Sequence, residues 1–284
     1  MPKVAVVTDS TAYLPPDLLE KYNITVSPLQ LIWGNETFYD GVDILPDEFY
    51  KRMATSKTMP TTSQVSIATH KASFEKLLDE GYNVLGIFMS GKLSGTVQSA
   101  VQARELLPKA ADKIVIVDSK TTAMAMGFHV LTVARAAQEG ANLVECQKLE
   151  EECKLRTGVY FVVDNLEYLH RGGRIGGAQA LMGIALKIKP VLEIRDGRID
   201  SVEKVRTKRK AVEHMIALVS HQVEGKTPIR LAAFHANAEA EARSLLETAS
   251  AKLNPVETIF TSVSPVIGAH TGPGTVSLAY MAGM

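Results

Sequence analysis

The sequence predicts an α/β protein of two domains. The N-terminal one is built mainly on a parallel sheet with flanking helices, and the C-terminal one on a mixed or antiparallel sheet with helices. Three observations predict this. The length of 284 residues exceeds the usual range of one domain. The first half alternates short apolar runs with helical patterns, and near residue 157 the patterning changes to that of a hairpin. The boundary is expected between 1–156 and 157–284.

In the first half, VAVV at 4–7, ITVSPLQLIW at 24–33, VLGIF at 84–88 and KIVIVD at 113–118 have the length and composition of strands. Between them, residues 15–22, 66–80, 96–107 and 121–139 space apolar residues near 3.6, as helices do. That order makes the helices crossovers in a parallel sheet, and ligands of such sheets sit beyond the strand C-termini. Those ends carry Thr8-Asp9-Ser10, Ser90 through Ser94, and Asp118-Ser119. All are good helix N-caps, and a helix N-terminus also attracts anions.

In the second half, GVYFVVD at 158–164 is expected as a strand, and PVLEI-RDGRID-SVEKV at 190–205 as a hairpin turning at Asp196-Gly197. Helices at 208–223 and 237–252 and strands at 229–235 and 256–262 follow. GAHTGPGT at 268–275 is expected as a glycine-rich turn leading into a strand, VSLAYM.

Lys plus Arg and Asp plus Glu are both 31, so no net field attracts nucleic acid or an anionic membrane. Cys146 and Cys153, seven apart in a helical pattern, suit one helix face as reduced, structural thiols. The start, MPKVAVVTDS, has too short an apolar run for a signal peptide, and no run of about 18 apolar residues occurs. A cytoplasmic protein is expected. GIFMSGKLSGT at 86–96 has the glycine and lysine spacing of a P-loop, but Leu93 stands where that motif needs a hydroxyl for Mg²⁺.

Five segments together resemble the DegV family: TDSTAYLP at 8–15, TTSQVS at 61–66, SGKLSGTVQSA at 90–100, LEYLHRGGRIG at 166–176 and IGAHTGPGT at 267–275. They occur in the family's order and span nearly the whole chain. The resemblance implies a carrier that holds one long-chain fatty acid between or within its domains. It would present the acid to a separate fatty acid kinase, which makes an acyl phosphate for phospholipid synthesis. The carrier itself would be no enzyme, would need no cofactor beyond its bound fatty acid, and would meet an acyltransferase or a transient membrane surface as further partners. Thr62, Ser94 and His270 match the family's carboxylate-binding residues, with Ser63, Ser90 and Gly95 contributing nearby. Arg171 matches an arginine near the ligand entrance, where it would meet the phosphate or the kinase. The sequence departs from the family pattern at His170, where a lysine is usual before the arginine, and at Gly91, where a second serine is usual.

The residue chemistry is compatible with that role. Burying about fourteen methylenes at ~0.8 kcal/mol each offers roughly 11 kcal/mol. A buried carboxylate costs several kcal/mol unless hydrogen-bonded, and Thr, Ser and His supply donors. A site free of lysine and arginine would also release the acid more readily to a kinase. His270, between Gly268 and Gly272, is expected in a turn. In GGRIGG at 172–177, Gly172 is expected as a helix C-cap, and Arg171 with Arg174 suits a phosphate. The helix 121–133, TTAMAMGFHVLTV, is apolar nearly all round and reads as core or as a wall for a bent chain.

Two other readings stay open. One is a metal- or ATP-dependent small-molecule kinase or phosphatase using Asp9 and Asp118 in the N-terminal cleft. Against it, the sequence has no Walker A hydroxyl, no metal-spaced His and Asp cluster and no G-x-S-x-G turn. The other is a carrier of a different acid, such as a branched or retinoid-like lipid.

Overall fold

The computed structural model describes residues 3–284, with 184–187 described by backbone alone. Met1 and Pro2, where the leader reading begins, lie outside the described residues. A four-stranded parallel sheet orders Thr25–Ser27, Val4–Asp9, Asn83–Phe88 and Ile114–Asp118 side by side. Alternation along these strands sends side chains to opposite faces. Ala5, Val7, Val84 and Phe88 pack on one face against helices Ile67–Asp79 and Thr96–Glu105. Val4, Val6, Leu85 and Ile87 pack on the other, against helix Ala123–Gln138.

That helix is the spine of the molecule. Residues 123–131 are all buried, because the helix lies between the parallel sheet and a second, six-stranded sheet. An all-round apolar sequence is what such a position requires.

The second sheet runs Arg198–Val205, Lys189–Arg195, Thr157–Val162, Val276–Ala282, Ile229–His235, Glu257–Ser262. Only its last pair is parallel. Its outer face, with Tyr160, Val162, Leu231 and Leu278, is covered by helices Lys208–Val223 and Glu239–Leu253. The hairpin turns at Asp196-Gly197, with φ of 49° and 81°. Two consecutive left-handed residues make the type I′ turn whose twist suits adjoining strands. All strands of this sheet lie at residue 157 or later, and all of the parallel sheet before it.

Two expectations are corrected. The run 24–33 is not one strand: Pro28, lacking an N–H, interrupts it. Thr25–Ser27 stays in the parallel sheet, while Gln30–Trp33 joins a separate antiparallel sheet between Glu36–Tyr39 and Thr61–Ser63. The segment 268–275 is only partly a turn. Pro265–Thr271 is a helix with His270 in its last turn, and the left-handed residues are Gly272 and Gly274 behind it. Cys146 and Cys153 are free and buried on helix Leu143–Cys153, and burial pushes their thiols up to about 11 and about 12.

Candidate functional site

A cavity of ≈ 220 Å³ lies between the carboxyl edge of the parallel sheet and the inner face of the six-stranded one. Loops that leave the parallel strands bring Met89, Leu93, Ser94, Gly95, Thr122 and Ala123 to it. This is the strand-end location expected of such sheets. The facing sheet contributes a row across three strands, Phe161, Ser277 and Phe234, which are direct register partners. Ile194 and Ile199, opposite each other in the hairpin, form another wall. Val263, Val266 and Ile267 come from around the helix of His270. Apart from Thr122 and Ala123, the helix Ala123–Gln138 packs in the core, so its methionines do not line the cavity.

The polar residues gather where three chain segments meet. Thr62, on the short strand Thr61–Ser63, places its Oγ1 2.8 Å from His270 Nε2, joining residues from opposite halves of the chain. Ser63 and Gln64 follow Thr62 into the lining, and Gln64 packs against Gly95 so closely that a β-carbon at 95 would overlap its side-chain amide. Ser94 Oγ lies 2.9 Å from Thr96 Oγ1. Arg174 donates from Nε to the Leu93 carbonyl at 3.0 Å and from Nη1 to the Gly172 carbonyl. Its partners are neutral, so an anion in the cavity would meet an uncompensated guanidinium charge. An end free of cations was expected from the sequence, and Arg174 corrects that.

Burial and the nearby Arg174 charge push His270 down to about 4, so its imidazole is neutral at pH 7. Its Nδ1 has no hydrogen-bond partner among the described residues and faces Gly172.

Thr62, Ser63, Ser94, Gly95, Arg174 and His270 therefore share one cavity. Ser90 does not line it: its hydroxyl is buried and donates to the Gly197 carbonyl at 2.7 Å, tying the loop to the hairpin tip. Arg171 does not line it either, being exposed on helix Glu167–Arg171 and paired with Glu167 at 2.7 Å. Gly172 is that helix's C-cap, and Gly173 carries the left-handed backbone, φ 70°. Asp9 and Asp118 do not converge. Asp9 is fully buried and binds Thr11 and the Met89 amide, whereas Asp118 binds Lys120 and the Gly91 amide.

Sequence reasoning missed Gln64, Thr122, Thr271, Thr275 and Ser277 in the lining. Gln64 lies within TTSQVS, whereas nothing local marks Ser277 as the one hydroxyl between two phenylalanines of neighbouring strands. Among the described residues, no helix is long and apolar enough to cross a membrane.

Comparison with known proteins places this geometry among relatives. The family model described as "Uncharacterised protein, DegV family" matches residues 3–283. Protein DegV of Bacillus subtilis is 36% identical over 280 residues, 98% of each chain. A DegV domain-containing protein of Clostridium perfringens is 37% identical over 279 residues, again 98% of each. Two solved structures superpose with a TM-score of 0.91: a fatty-acid-binding DegV family protein from Thermus thermophilus, 33% identical and covering 99% of both chains, and the fatty acid binding protein DegV of B. subtilis, 35% identical and covering 99% of this chain and 100% of that one. A stearic acid-binding protein from Eubacterium ventriosum, 25% identical, has a TM-score of 0.88 and covers 99% of this chain and 98% of its own.

Proposed function

We propose, because this chain belongs to the DegV family, that it is a carrier burying one long-chain fatty acid in this cavity. The observation that carries the reading is the Thr62–His270 pair, with Ser63, Ser94 and Arg174 in the same lining, in a cavity whose walls are largely Leu, Ile, Val, Met and Phe. An amphiphile with one polar end fits such a division, since the tail gains from burial and the head needs donors.

The carboxylate would rest against Thr62, Ser94 and Arg174. A neutral His270 protonated on Nε2 would donate to Thr62 Oγ1 and leave the threonine hydrogen free for the ligand. Arg174 would then be a counter-charge for the carboxylate. Arg171, outside, remains available to a partner or its phosphate.

The carrier would present the acid in the cytoplasm to a separate fatty acid kinase forming acyl phosphate for phospholipid synthesis. An acyltransferase or a membrane surface would receive the product. The kinase or phosphatase reading has less support, because Asp9 and Asp118 are occupied in separate places. Mass spectrometry of an organic extract of the purified protein tests the carrier reading: a long-chain fatty acid near one per chain supports it. A branched or retinoid-like acid in its place would replace the ligand class, and a lipid-free extract from protein that also fails to take up added palmitate would refute the carrier.

A further inference from the structure

Beneath the cavity lies a buried acidic hub whose members, Asp9, Ser10 and Asp40, are not themselves among the lining residues. Asp40 is 1% exposed; its Oδ2 accepts from the Ser10 hydroxyl at 2.7 Å and its Oδ1 from the Val266 amide at 3.2 Å. Ser10 Oγ in turn accepts from the Leu29 amide at 3.2 Å. Asp9, beside it, holds the Met89 amide at 2.8 Å. Leu29, Met89 and Val266 all line the cavity, and Val266 belongs to the helix that carries His270.

Resting on the carrier reading, we propose that Asp40 is a positioning residue for the ligand. Its ionised carboxylate holds Ser10 and the Val266 amide, setting the place of the His270 helix, so that the cavity binds a fatty acid tightly only while Asp40 is charged. The titratable groups against Asp40 are the Asp9 carboxyl from the first strand, Tyr13 behind it and Tyr50 on helix Pro46–Thr55, none of them a cation. Burial pushes Asp40 up to about 6, while the Ser10 and Val266 hydrogen bonds pull it down. On protonation, Oδ2 becomes a donor. The Ser10 hydroxyl must then turn, and its bond to Leu29 is disturbed with it.

The test is a fluorescence titration of cis-parinarate, a long-chain fatty acid, into wild type, Asp40→Asn and Ser10→Ala between about pH 7.5 and 5. The probe's own carboxyl titrates in every sample, so the ratio of variant to wild-type Kd reports Asp40. For Asp40→Asn that ratio is expected at about tenfold or more near pH 7.5, falling toward one near pH 5. Ser10→Ala removes a bond that favours the charged form, so the wild-type transition should move to higher pH. A ratio constant over pH overturns the proposal, as does wild-type binding that tightens on acidification while the Asn variant's does not. If Asp40→Asn fails to fold, an unshifted transition in Ser10→Ala overturns it alone. Failure of the wild type to bind near pH 7.5 would instead remove the carrier reading.

Discussion

Gly172 packs against the imidazole of His270 so closely that a β-carbon at 172 would overlap Nδ1. The glycine therefore fixes where the ring can lie and, through the ring, where the Thr62 hydroxyl is held.

Gly172→Ala should push His270 away from Thr62 and weaken palmitate binding by about 1–3 kcal/mol, the range for an unpaired buried polar group. Gly173→Ala is the control. Its φ is 70° with open space around it, so it should cost about 1 kcal/mol of stability through backbone strain and leave affinity unchanged. Calorimetric titration and thermal melts separate the two, and wild-type affinity in Gly172→Ala would remove this role.

Thr62→Ala leaves His270 Nε2 without its partner and takes a donor from the cavity, so palmitate affinity should fall by about 1–3 kcal/mol. Ser94→Ala should do the same. Unchanged binding in both would take these residues out of the site.

Much of this was legible beforehand, for physical reasons. Long strands and helices with one apolar face announce themselves by period, which is why the parallel sheet, the Asp196-Gly197 hairpin and most helices fall where expected. Three-residue strands such as Thr61–Ser63 carry no period to read, so the small antiparallel sheet that presents Thr62 went unseen. Thr62, Ser94 and His270 came from motif resemblance, yet the pairing of Thr62 with His270 depends on chain closure across both halves. His270 was expected in a turn because its flanking glycines masked a short helix begun by Pro265. Ser90 was expected near the carboxylate from the same resemblance, and a hydroxyl at a strand end is the same in sequence whether it faces a cavity or, as here, a hairpin carbonyl.

Arg174→Gln should weaken palmitate binding by about 1–3 kcal/mol, since the cavity loses a charge-assisted donor. Arg171→Ala, changing an exposed residue paired with Glu167, should leave binding intact and, on the proposed kinase partnership, slow acyl phosphate formation by a fatty acid kinase. Equal kinase rates would remove Arg171 from that interface, and unchanged affinity in Arg174→Gln would deny it the carboxylate.

His70 is fully buried between Phe74 and Phe88, and burial pushes its imidazole down to about 4. Unfolded, it titrates at its ordinary value of 6.5. The unfolded chain therefore binds the proton that the fold refuses, and stability contributed above pH 6.5 is lost as pH falls toward 4. By about pH 5 the loss from this group is about 2 kcal/mol. His70→Phe should remove that part of the pH dependence, read as the difference between the two proteins' denaturant midpoints at neutral and acid pH. Parallel profiles would contradict it.

Calorimetric titration of palmitate into delipidated wild-type protein at neutral pH, repeated with Thr62→Ala, tests the central claim most directly. The carrier account predicts saturable binding of one palmitate per chain, weakened in the variant. Absence of binding by the wild type, or binding at a stoichiometry far from one and indifferent to Thr62, would contradict it.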